Sequence, residues 1–286
     1  MNTESIETVG VVGAGTMGLG IAQLSAMAGF ETILFDVNSE MLQKALVIIE
    51  NNLNKGIERG KLSAEDRDGA LSNIRLEQEL TKVKADIIVE AIVENLAIKQ
   101  SVFNDLEKVN KKETILASNT SSIPITQIAA KLQHPERFVG MHFFNPAHIM
   151  KLVEIISGVA TSKEVADTIE EFAKKLGKSP VRTADSPGFI VNRVARHFYL
   201  EGLKLAEEGV ADFETIDELI ESSGFKMGPF KLMDLIGVDT NYSVTTTMFN
   251  AFHYDAKFRP NRIQQQKVDA GHYGRKSGKG FYSYDK

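Results

Sequence analysis

The sequence predicts an α/β protein: a doubly wound parallel sheet with a helical hairpin insertion, followed by an all-α C-terminal domain. Three observations predict it. Short apolar, β-rich runs alternate with helix-compatible stretches as far as about residue 184, the pattern of a parallel sheet wound with helices. A glycine-rich turn joins the first apolar run to the first helix. From Asp185-Ser186-Pro187-Gly188 onward the strand patterns stop and helical spacing takes over. A chain of 286 residues, 43% hydrophobic and 25% charged, holds enough apolar material for about two domains with real cores.

Taken in order, Thr8 to Val12 is a strand, Thr16 to Ala28 fits a helix and Thr32 to Asp36 is β-rich, which makes a βαβ opening. Between Ser39 and Asp68, apolar residues recur at helical spacing (Met41, Leu42, Ala45, Ile48, Ile49, Leu53). Lys55, Arg59 and Lys61 follow, with Gly56 and Gly60 as breaks, so this stretch reads as a helical hairpin projecting from the sheet. Further strands are expected at Asp86 to Val93, Thr114 to Ala117, Phe138 to Phe143, Lys151 to Ile156 and Pro180 to Thr183. Leu96 to Val109, Ile125 to Leu132 and Thr161 to Leu176 are the intervening helices, and Phe189 to Glu208 is the longest helix of the second part. The domains expected are therefore 1–184, with the hairpin at 39–68, and 185–286.

Composition removes several classes of function. A formal net charge of −5 gives no overall field to draw a nucleic acid or an anionic membrane surface. Without cysteine there is no disulfide, thiolate nucleophile or Cys-ligated metal, so chemistry falls to His, Ser, carboxylates or a cofactor, and no metal is expected. The start, Met-Asn-Thr-Glu-Ser-Ile-Glu, lacks the positive region of an export signal, and a cytoplasmic protein is expected. Thr8 to Phe30 is uncharged, but six glycines with Gln23 and Ser25 argue against a membrane span. Lys257 to Lys286 holds eight basic residues against Asp269 and Asp285. That tail is either a solvated surface balancing the acidic stretch Glu201 to Glu221 or a segment that approaches a phosphate-bearing ligand.

Gly13-Ala14-Gly15-Thr16-Met17-Gly18 follows a strand, opens a helix and has Asp36 at the end of the next strand, the setting of a Rossmann-type dinucleotide fingerprint. The first glycine permits the tight turn, the second lets backbone approach a pyrophosphate, and the third lets helix and strand pack closely. Asp36 can accept from both ribose hydroxyls and would repel a 2′-phosphate, while Val37 and Asn38 supply no arginine. NAD is thus favoured over NADP. A second constellation pairs His142, near the end of one strand, with Glu154 on the next, joined through Asn145-Pro146. An imidazole held by a carboxylate moves protons near neutrality, although a histidine among phenylalanines also suits a core. The other histidines, His134, His148, His197, His253 and His272, have no such partner signal. Ser118-Asn119-Thr120-Ser121-Ser122 follows a buried strand where such sheets bind ligands, and Ser122 equally suits a helix cap.

Together with Val89-Glu90-Ala91-Ile92-Val93-Glu94-Asn95, Met150-Lys151-Leu152-Val153-Glu154 and Asp185-Ser186-Pro187-Gly188-Phe189-Ile190-Val191-Asn192-Arg193, these segments resemble the 3-hydroxyacyl-CoA dehydrogenase family over nearly the whole chain. The likeness is to its short-chain bacterial members more than to multifunctional proteins with an added hydratase domain. It implies interconversion of (S)-3-hydroxyacyl-CoA and 3-oxoacyl-CoA with NAD, with 3-hydroxybutyryl-CoA and acetoacetyl-CoA as the short-chain pair. It further implies that His142 is the general acid/base held by Glu154, with Ser121 and Asn192 at the reacting oxygen. Gly13, Gly15, Thr16, Met17, Gly18, Asp36 and Ala91 would hold the dinucleotide, with Glu94, Lys99, Ser121 and Asn145 facing its nicotinamide half and Lys276 approaching it. The hairpin would hold CoA, with Asn52 and Arg59 standing where family members often present serine and lysine. Lys226 stands where a proline is common. The implied partners are an acyl-CoA substrate and a second copy joined through the C-terminal helical domain, with no nucleic acid or membrane. A dehydrogenase of a sugar acid or other free hydroxy acid, and a non-catalytic, crystallin-like NAD-binding protein, are the alternatives.

Overall fold

A computed structural model describes residues 5–284; the first four residues of the acidic start and the tail's Asp285 and Lys286 lie outside the described residues. The chain divides into two compact units, one through Ser186 and one from Pro187. In the first, β1 (Thr8–Val12), β2 (Glu31–Phe35), β3 (Ile74–Glu77), β4 (Ile87–Glu90), β5 (Ile115–Ser118), β6 (Phe138–Phe143), β7 (Leu152–Ser157) and β8 (Ser179–Ala184) form one sheet. Its spatial order is β3-β2-β1-β4-β5-β6-β7-β8.

Pairing is parallel from β3 across to β6 and again between β7 and β8, but β6 and β7 are antiparallel. The turn read at Asn145-Pro146 thus joins two neighbouring strands, and the parallel winding stops at this junction. Residues 144–151 are too few for a crossover, which takes a dozen or more, so the chain turns back on itself. Strand β3 was not expected, because Ile74-Arg75-Leu76-Glu77 is a short, half-exposed edge segment with little apolar signal.

Helix α1 (Thr16–Met27) follows the glycine turn, and α2 (Ser39–Glu58) and α3 (Ala64–Ser72) both pack on it. Asn38 caps α2 by accepting from the N–H groups of Glu40 and Met41, and Ser63 with Asp66 forms a capping box on α3. Leu42, Ala45, Ile49 and Leu53 bury the inner stripe of α2 in the core. Two details of the expected hairpin change. Gly56 lies within α2 rather than breaking it; a Cβ there would lie 2.6 Å from Leu62 Cδ1, so the glycine lets the turn fold back closely. The second helix also runs past Asp68 to Ser72. Helices α4 (Leu96–Val109), α5 (Ile125–Ala129) and α6 (Lys163–Lys175) complete the winding.

The second unit is helical: α7 (Val191–Glu207), α8 (Phe213–Ser222), α9 (Pro229–Ile236), α10 (Val238–Ala251) and α11 (Arg262–Asp269). Helix α7 begins after the expected Phe189 because Gly188 (φ 72°) and Phe189 (φ 50°) are left-handed. Tyr199, Leu203, Phe230, Met233 and Phe281 form its core. Two buried carboxylates fasten the C-terminal segment. Asp234 accepts from the Phe281 and Tyr282 N–H groups and the Tyr284 hydroxyl, and Asp217 accepts from the Tyr282 hydroxyl and the first turn of α9. The exposed Lys226 lies just before that turn. Among the described residues no helix is long and apolar enough to cross a membrane.

At the β1–α1 turn, Gly13 has φ 107°, and a Cβ on Gly18 would sit 1.7 Å from the Gly13 carbonyl oxygen. Gly18→Ala must therefore move backbone, and urea unfolding is expected to show a loss of about 3 kcal/mol, the upper end of the usual cost of overpacking. Gly69→Ala, inside α3 with open space at its Cβ, should instead gain roughly 0.5 kcal/mol through reduced unfolded-chain entropy.

Candidate active site

Strands β1, β4, β5 and β6 end on one edge of the sheet, and the winding reverses at β1, which has β2 on one side and β4 on the other. Such a switch point opens a crevice beyond the carboxyl ends of the strands. Because β7 is antiparallel, its beginning lies on the same edge, and the register sets His142 directly opposite Glu154. The imidazole Nδ1 is 2.8 Å from Glu154 Oε2, with His142 5% and Glu154 1% exposed. A carboxylate can only accept here, so the proton on this side stays at Nδ1 and exchange is directed to Nε2. The Phe144 ring packs against the imidazole at 4.5 Å between centroids.

The loop after β5 is organised by Glu94. Its Oε1 accepts from Thr120 Oγ1 (2.6 Å), the N–H groups of Ser121 (3.1 Å) and Ser122 (3.2 Å), and Ser122 Oγ (3.0 Å). Lys99 Nζ lies 3.3 Å from the other oxygen. Burial works against ionisation of Glu94, but Lys99 and these donors outweigh it and hold the carboxyl below its usual range. Lys99 itself is 1% exposed, its ammonium set between Glu94 and Glu90, the latter at 2.6 Å. Glu90 also accepts from Ser118 Oγ (2.7 Å) and the Ile92 N–H (2.7 Å), and its burial pushes its carboxyl up despite these partners. Lys99 thus meets the crevice through Glu94.

Three supporting residues were missed in the sequence. Glu90 ends the otherwise apolar, fully buried Ile87-Ile88-Val89, and a charge at that position was a readable signal. Asn119 Oδ1 accepts from the Phe143 N–H (2.8 Å), tying the loop to the end of β6 beside His142. Lys178 donates to the carbonyls of Ala147 (2.6 Å) and Met150 (2.8 Å), holding the turn that carries the exposed Asn145. Burial pushes the Lys178 ammonium down to about 8, with Lys151 nearby acting in the same direction.

The glycine turn fits a dinucleotide. Helix α1 has Gly15 at its N-cap, with no side-chain cap and no acidic residue in its first turn, so the leading N–H groups of Thr16, Met17 and Gly18 have no helical acceptors. A Cβ on Gly15 would meet nothing within 4 Å, which leaves room for a pyrophosphate against the backbone. Asp36 Oδ2 accepts from the Ala14 N–H (2.8 Å) and Oδ1 from the Asn38 N–H (3.0 Å), which fixes the carboxylate beside the turn while each oxygen keeps a lone pair for a ribose hydroxyl. The Ala91 N–H bonds to Val12 O (2.8 Å), closing the floor between β1 and β4.

Asn52 and Arg59 lie apart from this edge cluster on α2. Asn52 is half-buried and donates to Gln23 Oε1 of α1 (3.2 Å), while Arg59 at the helix end is exposed together with Lys55 and Lys61. Asn192, in the first turn of α7, and Lys276 belong to the C-terminal unit. There the Lys276 ammonium pairs with Asp239 at 2.6 Å.

Residues 8–186 match the NAD-binding domain of 3-hydroxyacyl-CoA dehydrogenase, and residues 188–284 match its C-terminal domain. The chain is 45% identical over 282 residues to an Escherichia coli protein named 3-hydroxyadipyl-CoA dehydrogenase, covering 98% of this chain but 59% of that one. It is 40% identical over 281 residues to a 3-hydroxybutyryl-CoA dehydrogenase of Bradyrhizobium diazoefficiens, covering 98% and 96%. The crystal structure of (S)-3-hydroxybutyryl-CoA dehydrogenase from Ralstonia eutropha superposes with a TM-score of 0.95 at 39% identity, covering 99% of this chain and 100% of that one. With both domains matched in order, and the glycine turn, Asp36 and the His142–Glu154 pair in place, the chain belongs to the 3-hydroxyacyl-CoA dehydrogenase family.

Proposed function

We propose that this chain oxidises (S)-3-hydroxyacyl-CoA to 3-oxoacyl-CoA and catalyses the reverse reduction with NAD, using 3-hydroxybutyryl-CoA and acetoacetyl-CoA as a short-chain pair. The observation that carries this reading is the buried His142–Glu154 pair at the same sheet edge as the glycine turn. Bound NAD supplies the acceptor or donor of the hydride. His142 Nε2 takes the proton of the substrate hydroxyl during oxidation and returns it to the oxygen during reduction. Glu154, fixed by the strand register, stabilises the imidazolium formed in between.

The side chains of Ser121 and Asn192 orient the reacting oxygen. Gly13 to Gly18, Asp36 and Ala91 hold the adenosine and pyrophosphate portion of NAD. Glu94, kept ionised by Lys99 and the loop donors, offers a negative charge toward the nicotinamide half, with Asn145 and Lys276 as further contacts. Arg59, with Lys55 and Lys61, attracts the CoA phosphates, and Asn52 lies on the same helix. A sugar-acid substrate would leave that exposed basic group without a role.

We also infer a homodimer through the C-terminal unit, where Ile190, Val194, Leu219, Phe225, Leu235 and Ile236 expose apolar side chains. A cytoplasmic setting suits a chain with no cysteine.

His142→Ala is expected to lower kcat for acetoacetyl-CoA reduction by roughly 10² to 10⁴, the usual worth of general acid–base assistance. Glu154→Gln, which keeps shape but removes charge, should also lower kcat strongly. The double variant should be little worse than His142→Ala, since the pair acts as a unit. NADH affinity by fluorescence titration should stay near wild type in all three; near-normal turnover in His142→Ala would reject the mechanism.

Steady-state kinetics with both nucleotides should show a strong preference for NADH, and Asp36→Ala should shift the ratio of efficiencies toward NADPH. Equal wild-type efficiencies would contradict the ribose role of Asp36. Arg59→Ala should raise KM for acetoacetyl-CoA with KM for NADH nearly unchanged, an effect that shrinks at high ionic strength as the charge–phosphate attraction is screened. An unchanged substrate KM at low salt would move the CoA site off α2.

A further inference from the structure

Arg196, on α7, is 3% exposed, and all its hydrogen bonds come from one nitrogen. Nη1 donates to the Asn241 carbonyl (2.8 Å), Asn241 Oδ1 (3.2 Å) and Thr245 Oγ1 (2.9 Å), all neutral groups. Its guanidinium lies 4.8 Å from the Tyr199 ring centroid, again a neutral partner. No carboxylate among the described residues pairs with it. Nε is buried without a hydrogen-bond partner, and so are two polar atoms of the same network, Asn241 Nδ2 and Gln264 Oε1. Burial pushes the guanidinium down to about 10, which leaves it charged near neutral pH.

A buried cation with no counter-ion is costly, and water can satisfy its hydrogen bonds without neutralising it. The unused edge of the guanidinium, Nε with Nη2, is the planar fork that matches the two oxygens of a carboxylate. Arg196 stands one helical turn after Asn192, about 6 Å along the axis. In the reaction assigned above, Asn192 meets the reacting oxygen. A group at the far end of a six-carbon acyl chain lies a comparable distance from its third carbon.

We propose that Arg196 binds a carboxylate at the far end of the substrate's acyl chain, so that the preferred substrates are 3-hydroxyacyl-CoA thioesters of dicarboxylic acids. The proposal rests on the reaction assigned above and adds to it a specificity-determining residue. The short-chain pair remains within the class that the enzyme turns over, as substrates that leave this subsite unfilled.

The test compares 3-oxoadipyl-CoA with 3-oxohexanoyl-CoA, which share a chain length and differ in the terminal carboxylate, following NADH oxidation by the full-length protein. Wild type should favour the carboxylate substrate in kcat/KM by about ten-fold or more, the worth of one charge-assisted hydrogen-bonded pair. Arg196→Met should bring the ratio close to one, mainly through KM of the carboxylate substrate, and Arg196→Lys should retain part of the preference. The ratio is internal to each preparation, so partial misfolding of a variant does not imitate the effect, and the wild-type ratio stands even if a variant fails to fold. Equal wild-type efficiencies, or an Arg196→Met ratio unchanged from wild type, would overturn the carboxylate site alone. A wild-type protein that binds NADH but reduces neither thioester would overturn the reaction assignment as well.

Discussion

The antiparallel register of β6 and β7 is the constraint on which the proposed chemistry depends. Neither His142 nor Glu154 is set by a loop; each projects from a buried stretch of strand, and backbone pairing fixes them opposite one another. A slip of β7 by one residue would turn Glu154 to the other face of the sheet, away from His142. The reversal of direction is equally necessary. Had β7 run parallel to β6, its beginning would lie at the opposite edge of the sheet, far from the ends of β1 and β4 where the nucleotide turn sits. The short 144–151 connection thus does more than join two strands, and Lys178 ties its carbonyls down from the beginning of β8.

Around that pair the protein places charge where an apolar core would be cheaper. Glu90 and Lys99 are both essentially excluded from water, yet their ion pair spans β4, β5 and α4 through Ser118. A buried pair of this kind adds little net stability, since desolvation cancels most of the attraction. Its effect is geometric. Lys99 extends the pair to Glu94, and Glu94 gathers the 120–122 backbone, so a serine loop acquires one conformation instead of several. Asn119 closes the same loop onto β6. The His142–Glu154 pair and Ser121 are therefore positioned by separate networks that meet at a single loop.

Much of this was legible in the residues. The glycine turn, Asp36 and the alternation of strands and helices carry strong local signals, because each depends on sequence spacing that the fold cannot disguise. The His142–Glu154 contact was readable once a turn was recognised at Asn145-Pro146. Other features left no such trace. Strand β3 is four residues long and half-exposed, so its pairing with β2 is decided by tertiary placement. A lysine at position 99 could be read as facing the crevice; which way its long side chain turns depends on Glu90, a residue nine positions earlier, and on local burial. Asn192 entered only through family resemblance, since nothing in a helical segment marks it as a ligand, and Lys276 was marked only as one of several cations in a basic tail. Nothing in the sequence distinguishes Arg196 from a surface cation, and only the packing of α7 against α10 buries it.

The open space at Gly15 has a thermodynamic consequence. The turn gives up a side chain and leaves the leading N–H groups of α1 unsatisfied, so the nucleotide-free protein lacks contacts that the bound form completes. A ligand that fills such a gap binds the folded state alone and adds RT ln(1 + [L]/Kd) to its stability, about 2.7 kcal/mol at a hundred-fold excess over Kd. The resistance of this protein to unfolding and degradation is then set by the nucleotide pool around it as well as by its sequence. Removing the nucleotide from that hundred-fold excess would raise the unfolded fraction by the same factor, about a hundred-fold.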